Sequence, residues 1–206
     1  MLDFHILTVG PLACNCIILW ESAAKTGVVV DPGDEAGTIS KRVKKLNLDI
    51  KAILLTHAHF DHVGAAAELQ QQWGCPVLLH PGDDPLLEHI GSQTASFGLP
   101  PIQKPKVEQL NGDLPLGITM VHTPGHSPGS SSFLANSTKG RLVLSGDTLF
   151  CQGVGRTDFW GGDWENLADS VRAKLYTLDP DTIVLPGHGP QTTIDTERKG
   201  NPFIRG

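Results

Sequence analysis

Short apolar runs alternate with amphipathic segments along the chain, a pattern typical of proteins that contain both strands and helices. The apolar runs predict strands at residues 4–9, 16–20, 28–30, 50–55, 77–79, 119–122, 131–135, 142–145 and 182–185. Helical spacing predicts one helix through Ile39, Val43 and Leu46 and a second at 64–73 that ends at Gly74. A third predicted helix carries the following residues on one face: Trp164, Leu167, Ala168, Val171 and Leu175.

The segment 91–106 lacks this periodicity, and Pro100, Pro101 and Pro105 argue against a helix there. It is expected to form a surface excursion that flanks a pocket. Each half of the chain contains strands followed by a helix and a further strand, and no low-complexity linker separates the halves. A single domain over residues 1–206 is therefore expected.

Composition and charge narrow the class of protein. The 206 residues include 16 Lys+Arg and 22 Asp+Glu, a net charge of -6, and the largest basic cluster, at 41–45, is typical of one solvated helix face. Nucleic acid is therefore not an expected partner. No apolar run approaches the roughly 20 residues of a membrane span, and the N-terminus lacks the features of a signal peptide. A cytoplasmic protein without a membrane partner is expected, while the sequence does not indicate its oligomeric state.

The four cysteines have no spacing typical of a disulfide framework or a redox pair. Cys14 and Cys16 are two residues apart in a predicted strand, so both side chains should lie on one face as small core residues. Reduced, structural thiols are expected.

Histidines and aspartates are concentrated directly after the apolar strand 50–55, where His57, His59, Asp61 and His62 fall within six residues. In an extended segment His57 and His59 share a face, and the turn into the next helix redirects the other two side chains. One short loop could thus serve two adjacent metal ions.

Three further candidates, His126, Asp147 and His188, lie in Gly/Pro-rich turns that follow other predicted strands. Imidazole and carboxylate together suit Zn²⁺, Fe or Mn better than Ca²⁺. Scattered structural histidines could explain one such residue, but not five histidines and two aspartates at strand-end turns. No chemistry is assigned to the four remaining histidines, His5, His80, His89 and His122. His122 could pack beside the site or hydrogen-bond a metal ligand.

Four motifs, THAHFDH at 56–62, TPGHSPGS at 123–130, SGDTLF at 145–150 and PGHG at 186–189, resemble those of the metallo-β-lactamase superfamily. The resemblance implies an α/β (α+β) fold, a four-layer αββα sandwich of two mixed sheets with helices on the outer faces and metals at one edge. It also implies the ligand sets. His57, His59 and His126 would hold one metal, Asp61, His62 and His188 the other, and Asp147 would bridge them.

Individual positions favour one branch of this superfamily. The β-lactamase branch usually has a residue other than His at position 62 and Cys or Ser at 147, and flavodiiron relatives place Glu at position 59. The segment 153–159 and the chain ending resemble short relatives of glyoxalase II, although persulfide dioxygenases share much of the former. Asp158 and Pro190 differ from the longer glyoxalase II enzymes, which have an aromatic residue and a Tyr at these positions.

The resemblance implies a dinuclear metal-dependent hydrolase that cleaves a thioester of the S-D-lactoylglutathione type by a metal-bridging hydroxide. Two divalent ions are expected, Zn first and Fe or Mn as alternatives, with Asp61 and Asp147 as catalytic residues. The expected partner is a small anionic, glutathione-derived thioester that Arg156 would help anchor; an internal ion pair with Asp158 or Asp163 is the alternative role of Arg156. Two alternatives stay open: a persulfide dioxygenase with one iron held by His57, His126 and Asp147, and a non-catalytic metal-binding module.

Overall fold

The computed structural model describes residues 1–110 and 113–206. It contains thirteen strands: β1 (Leu2–Val9), β2 (Cys14–Glu21), β3 (Thr26–Val30), β4 (Asp49–Leu54), β5 (Val77–Leu79), β6 (Val107–Gln109), β7 (Thr119–His122), β8 (Ser131–Ser137), β9 (Gly140–Gly146), β10 (Leu149–Phe150), β11 (Gly153–Val154), β12 (Ile183–Pro186) and β13 (Thr192–Thr193). It contains seven α-helices: α1 (Ala36–Leu46), α2 (Phe60–Val63), α3 (Ala66–Trp73), α4 (Asp84–Glu88), α5 (Ile90–Ser96), α6 (Trp164–Ser170) and α7 (Ile194–Gly200).

The strands form two mixed sheets that meet along one edge. The first has the order β1-β2-β3-β4-β5-β6, antiparallel from β1 to β3 and parallel from β3 to β6. The second runs β7-β8-β9-β12-β13, with β9 and β12 parallel. The ladder between the sheets is a single pair, Leu2 of β1 with Ser137 of β8. Strands β10 and β11 form a separate hairpin.

Alternating side chains on each sheet build three apolar layers. In β2, Cys16 and Ile18 pack toward the helices of the first half, whereas Ile17 and Leu19 face the second sheet. In β9, Val143 packs on the other side, in the layer that contains Val171 and Leu175 from the stretch after α6. The sheets are therefore sandwiched between outer helices, and the expected four-layer αββα fold is confirmed.

Two predicted helical segments differ from the structure. The helix predicted at 64–73 begins two residues later, as α3, because the Ala65 amide donates a hydrogen bond to the Pro32 carbonyl instead of continuing the helical ladder from α2. The segment 91–106, expected to lack a helix, begins with most of α5, and its prolines come only after that helix ends.

Other expectations concern single side chains. Trp164, the first residue of α6, is 41 % exposed, whereas Leu167 and Ala168 on the same predicted face are buried. Cys14 and Cys16 are buried on one face of β2, as expected, and all four cysteines are free.

Within residues 1–110 and 113–206, helices long and apolar enough to span a bilayer are absent.

Candidate metal centre

The loops after four strands converge at one edge of the sandwich. Strand β4 leads into the loop and short helix that carry His57, His59, Asp61 and His62, the first sheet's contribution. The second sheet contributes three loops, which hold His126 after β7, Asp147 directly after β9 and His188 after β12. The structure thus brings together all seven residues that the sequence singled out.

Ligand atoms of these residues form three overlapping groups whose members lie within 4.8 Å of one another. The groups are His57, His59 and His126; Asp61, His62 and His188; and His57, His62 and Asp147. The first two have the composition of the ligand sets that the resemblance implies. Asp147 lies between them, with its carboxylate 3.4 Å from Nε2 of His62, 3.6 Å from Nε2 of His126 and 3.7 Å from Nε2 of His188.

Hydrogen bonds on the outer side of the site orient the imidazole rings. His126 Nδ1 donates to the Arg156 carbonyl at 2.7 Å, and His188 Nδ1 donates to the Leu12 carbonyl at 3.0 Å. His62 Nδ1 lies 2.9 Å from a carboxylate oxygen of Asp31. A neutral imidazole that donates through Nδ1 keeps a lone pair on Nε2, so in their neutral form these three rings direct lone pairs inward.

The inward-facing atoms fit a bound cation. Nε2 of His62 and Nε2 of His188 are 3.2 Å apart, and in neutral rings that donate through Nδ1 both are acceptors, so a shared cation relieves their repulsion. Nε2 of His57 and Oδ1 of Asp147 are buried and have no hydrogen-bond partner in the described part of the chain. Unpaired buried acceptors are costly unless a ligand satisfies them. The donor set of imidazole and carboxylate is one that Zn²⁺, Fe and Mn accept.

Burial keeps two of the ligand rings neutral. Desolvation, reinforced by neighbouring histidines, lowers the pKa of His57 well below its ordinary value. Desolvation and the neighbouring His126 lower the pKa of His59 to about 3. Because only the neutral imidazole binds a metal ion, both rings are held in the binding form at neutral pH.

Two buried aspartates that the sequence analysis missed hold the ligand loops in place. Asp31 accepts hydrogen bonds from the Thr56 amide at 2.7 Å and the Thr56 hydroxyl at 2.6 Å, and the same hydroxyl oxygen lies 3.0 Å from Nδ1 of His57. Asp31 therefore supports His57 through Thr56, and His62 directly. It follows the apolar strand β3, so the strand-end signal that identified the other ligands could have found it.

Asp83 performs a similar task for two loops. Its carboxylate accepts from the Ala58 amide at 2.9 Å, the Ser127 hydroxyl at 2.8 Å and the Gly129 amide at 2.6 Å. It thus ties the loop that carries His57 and His59 to the loop that carries His126. Burial raises the pKa of this carboxyl. No local sequence feature identifies Asp83, because its partners are 25 to 46 residues away.

Glycine allows the chain to pass close to the site at Gly187. A Cβ placed there would lie 2.2 Å from Oδ1 of Asp147 and 2.7 Å from Cε1 of His62, distances that no side chain can occupy. Gly187 therefore lets the loop after β12 bring His188 against the other ligands.

A cavity of about 820 Å³ opens over the ligand cluster. Its floor includes His59, Asp61, His126, Asp147 and His188, and α4, α5 and the loop at 154–160 supply its walls. The walls carry these apolar side chains: Leu12, Phe60, Pro85, Leu86, Phe97, Phe150, Val154, Phe159 and Trp160.

Arg156 lies at the rim of this cavity and pairs with Asp158. Its Nε and Nη2 each donate to that carboxylate at 2.6 Å, and its guanidinium lies 3.8 Å from the centre of the Phe159 ring. Asp163, the other partner considered, instead caps α6 by accepting from the Asn166 amide. The pair with Asp158 leaves Nη1 of Arg156 available to another acceptor.

The fold and the ligand cluster define a metal-dependent hydrolase scaffold, and comparison with known proteins assigns the family. The sequence profile of the metallo-beta-lactamase superfamily matches residues 9–188, and the chain belongs to that superfamily.

Three relatives illustrate the similarity. Hydroxyacylglutathione hydrolase GloC of Haemophilus influenzae is 37% identical over 98% of this chain and 98% of its own length. The crystal structure of BLEG-1 B3 metallo-beta-lactamase is 38% identical, with a TM-score of 0.90 over 99% of this chain and 100% of that one. The crystal structure of TTHA1623 in a di-iron-bound form is 41% identical, with a TM-score of 0.88 over 97% of this chain and 100% of that one.

Proposed function

We propose that this protein is a dinuclear metal-dependent hydrolase that cleaves a thioester of the hydroxyacylglutathione type. The observation that carries the proposal is the convergence of five imidazoles and two carboxylates in one cluster, of which His59, Asp61, His126, Asp147 and His188 line the cavity. The similarity to hydroxyacylglutathione hydrolase GloC, which extends over nearly the whole of both chains, supports the substrate class.

The ligand groups indicate how two ions would be held. His57, His59 and His126 would bind one ion, Asp61, His62 and His188 the other, and Asp147 would contact both. When bound, two divalent ions supply a hydroxide nucleophile near neutral pH and stabilise negative charge that develops on the acyl oxygen. Zn is the first expectation, and the di-iron form of TTHA1623 supports iron as an alternative.

The chain's own residues would orient the reactants. Asp61 and Asp147 lie on the cavity floor, where a carboxylate can orient a water molecule and accept its proton. The leaving thiol has an ordinary pKa of about 8.5, so it departs with little protonation and needs no strong acid beside it. Arg156 would bind a carboxylate of the substrate at the rim through Nη1, which the pair with Asp158 does not use.

Metal analysis and thioester hydrolysis on one preparation test the proposal. Protein purified without added metal is expected to contain two transition-metal ions per chain and to hydrolyse S-lactoylglutathione, and the Asp147→Ala variant is expected to lose both properties. Oxygen uptake with glutathione persulfide and no thioester hydrolysis would instead favour a mononuclear iron persulfide dioxygenase. Metal binding without either reaction would favour a non-catalytic module.

The similarity to BLEG-1 B3 metallo-beta-lactamase makes β-lactam hydrolysis the second candidate. Ring opening of an amide needs the same nucleophile, but its amine leaves less readily than a thiolate. A chromogenic cephalosporin assayed beside S-lactoylglutathione separates the two candidates. A larger kcat/KM for the cephalosporin would reverse their order.

A further inference from the structure

The side chains that line the cavity over the ligand cluster indicate which part of a thioester binds there. We propose, on the basis of the proposed function, that it binds a large apolar acyl group, preferably an aromatic one, and that Phe97 and Trp160 determine this specificity.

Exposed apolar side chains are concentrated around this cavity. In residues 1–110 and 113–206, six large apolar side chains are exposed, and three of them line it: Leu12 at 39 %, Phe97 at 48 % and Trp160 at 61 %. Water contact at these side chains is unfavourable, and a cluster of them beside a reactive site indicates an apolar ligand that covers them.

The two walls present aromatic faces at the edge of the ligand cluster. On one side Phe97 packs against Phe60 with ring centres 5.0 Å apart, and Phe60 follows directly after the ligand His59. On the other side Phe159 lies 5.6 Å from the His59 ring and is held by the Arg156 guanidinium. An acyl group attached to a carbonyl carbon above the floor would therefore lie between two aromatic surfaces.

Charged groups are scarce on these walls. Arg156 is the one Lys or Arg among the described lining residues; it lies at the rim, and two of its donors bond Asp158. His89, which also lines the cavity, uses its Nδ1 on the Pro85 carbonyl at 2.9 Å. A charged acyl group would lose its hydration there without gaining a partner, whereas an uncharged ring loses only unfavourable water contact. The carboxylates of a glutathione carrier are accommodated at the rim, where Arg156 is 55% exposed.

A matched pair of substrates tests the inference. S-Mandeloylglutathione and S-lactoylglutathione differ only in a phenyl group that replaces a methyl group. After division by the uncatalysed hydrolysis rate of each ester, kcat/KM is expected to be at least ~10-fold higher for the mandeloyl ester, since a buried ring outweighs a single methylene. A ratio near one would overturn the inference, whereas failure to hydrolyse either ester would overturn the proposed function.

Three variants test whether Phe97 and Trp160 cause the preference for the mandeloyl ester. Phe97→Ala and Trp160→Ala should each lower kcat/KM for the mandeloyl ester several-fold more than kcat/KM for the lactoyl ester. Trp164→Ala removes an exposed tryptophan that does not line the cavity, so it should leave the preference unchanged. An equal change in all three variants would contradict the assignment of Phe97 and Trp160.

A second pair of esters distinguishes the acyl side from the thiol side. Lactoyl thioesters of benzyl mercaptan and of 2-mercaptoethanol place the ring on the leaving group instead. If these esters show the aromatic preference and the mandeloyl pair does not, the cavity binds the thiol and the acyl assignment is wrong.

Discussion

Asp31 offers a direct test of whether buried hydrogen bonds behind the ligands control metal binding. In the Asp31→Asn variant the side chain keeps its size, and Asn tolerates the left-handed backbone at this position, where φ is 50°, at least as well as Asp does. The replacement therefore changes the hydrogen bonds with little backbone strain. We expect a folded protein that binds metal more weakly.

The size of the effect follows from the two bonds that Oδ2 of Asp31 accepts, from the Thr56 hydroxyl at 2.6 Å and from His62 Nδ1 at 2.9 Å. In the variant an amide NH₂ can face the ring N–H, and His62 then has to move its proton to Nε2, where it blocks metal binding. A hydrogen bond to a charged group contributes about 1.5–3 kcal/mol. Converted to affinity this is about 10- to 100-fold, the range observed when groups that orient metal ligands are removed.

A chelator competition titration measures this loss at each of the two expected sites. The Asp34→Asn variant is the control, because Asp34 lies in the same turn, is exposed and bonds only the adjacent Glu35 amide among the side-chain contacts of the described chain. Asp31→Asn should weaken metal binding at the site that contains His62 by about 10- to 100-fold, and Asp34→Asn should not. A folded Asp31→Asn protein with unchanged affinity at both sites would refute the role assigned to Asp31.

Three other perturbations have distinct expected outcomes. Asp147→Ala should reduce the metal content below two ions per chain and lower kcat by at least ~100-fold, measured by elemental analysis and thioester hydrolysis; two retained ions and full activity would contradict a shared ligand. Arg156→Ala should raise KM about 10-fold for an anionic thioester and leave KM for an uncharged thioester unchanged. The control is Arg141→Ala, which removes an exposed guanidinium paired with Asp179 and should change neither KM. Gly187→Ala should abolish metal binding because it forces a Cβ against Asp147. Gly91→Ala, where a Cβ meets open space, should leave metal affinity unchanged. Equal metal affinities of the two variants would show that the loop after β12 can move aside.

The ligands could be predicted from the sequence because each signal is local. An apolar strand, a glycine or proline turn and a histidine or aspartate occupy a few consecutive residues at His126, Asp147 and His188. Strand ends on the same side of a sandwich meet in space, so local patterns suffice to bring such residues together. The partition into two sets came from the family resemblance, because alternation and spacing do not encode it.

Features that depend on distant contacts could not be predicted in this way. Asp83 is identified only by its hydrogen bonds to Ala58 and Ser127, which belong to other segments. The break between α2 and α3 depends on the Pro32 carbonyl, which competes for an amide of the helix. Helix α5 is not predicted because the prolines that argue against a helix in the segment 91–106 all follow its last residue, Ser96.

The two sheets share one ladder pair, Leu2 with Ser137, yet the ligands come from both. His57, His59, Asp61 and His62 belong to the first half, and the other three belong to the second. Ions bound between them would act as an additional cross-link between the two halves. Metal content should therefore affect the cooperativity of unfolding as well as the reaction. The loaded protein should melt in one transition. In a chelated protein the apolar layer that Ile17 and Leu19 share with Phe133 still joins the sheets, so the halves should separate at a lower temperature, with the inner faces of both then exposed to association with other chains.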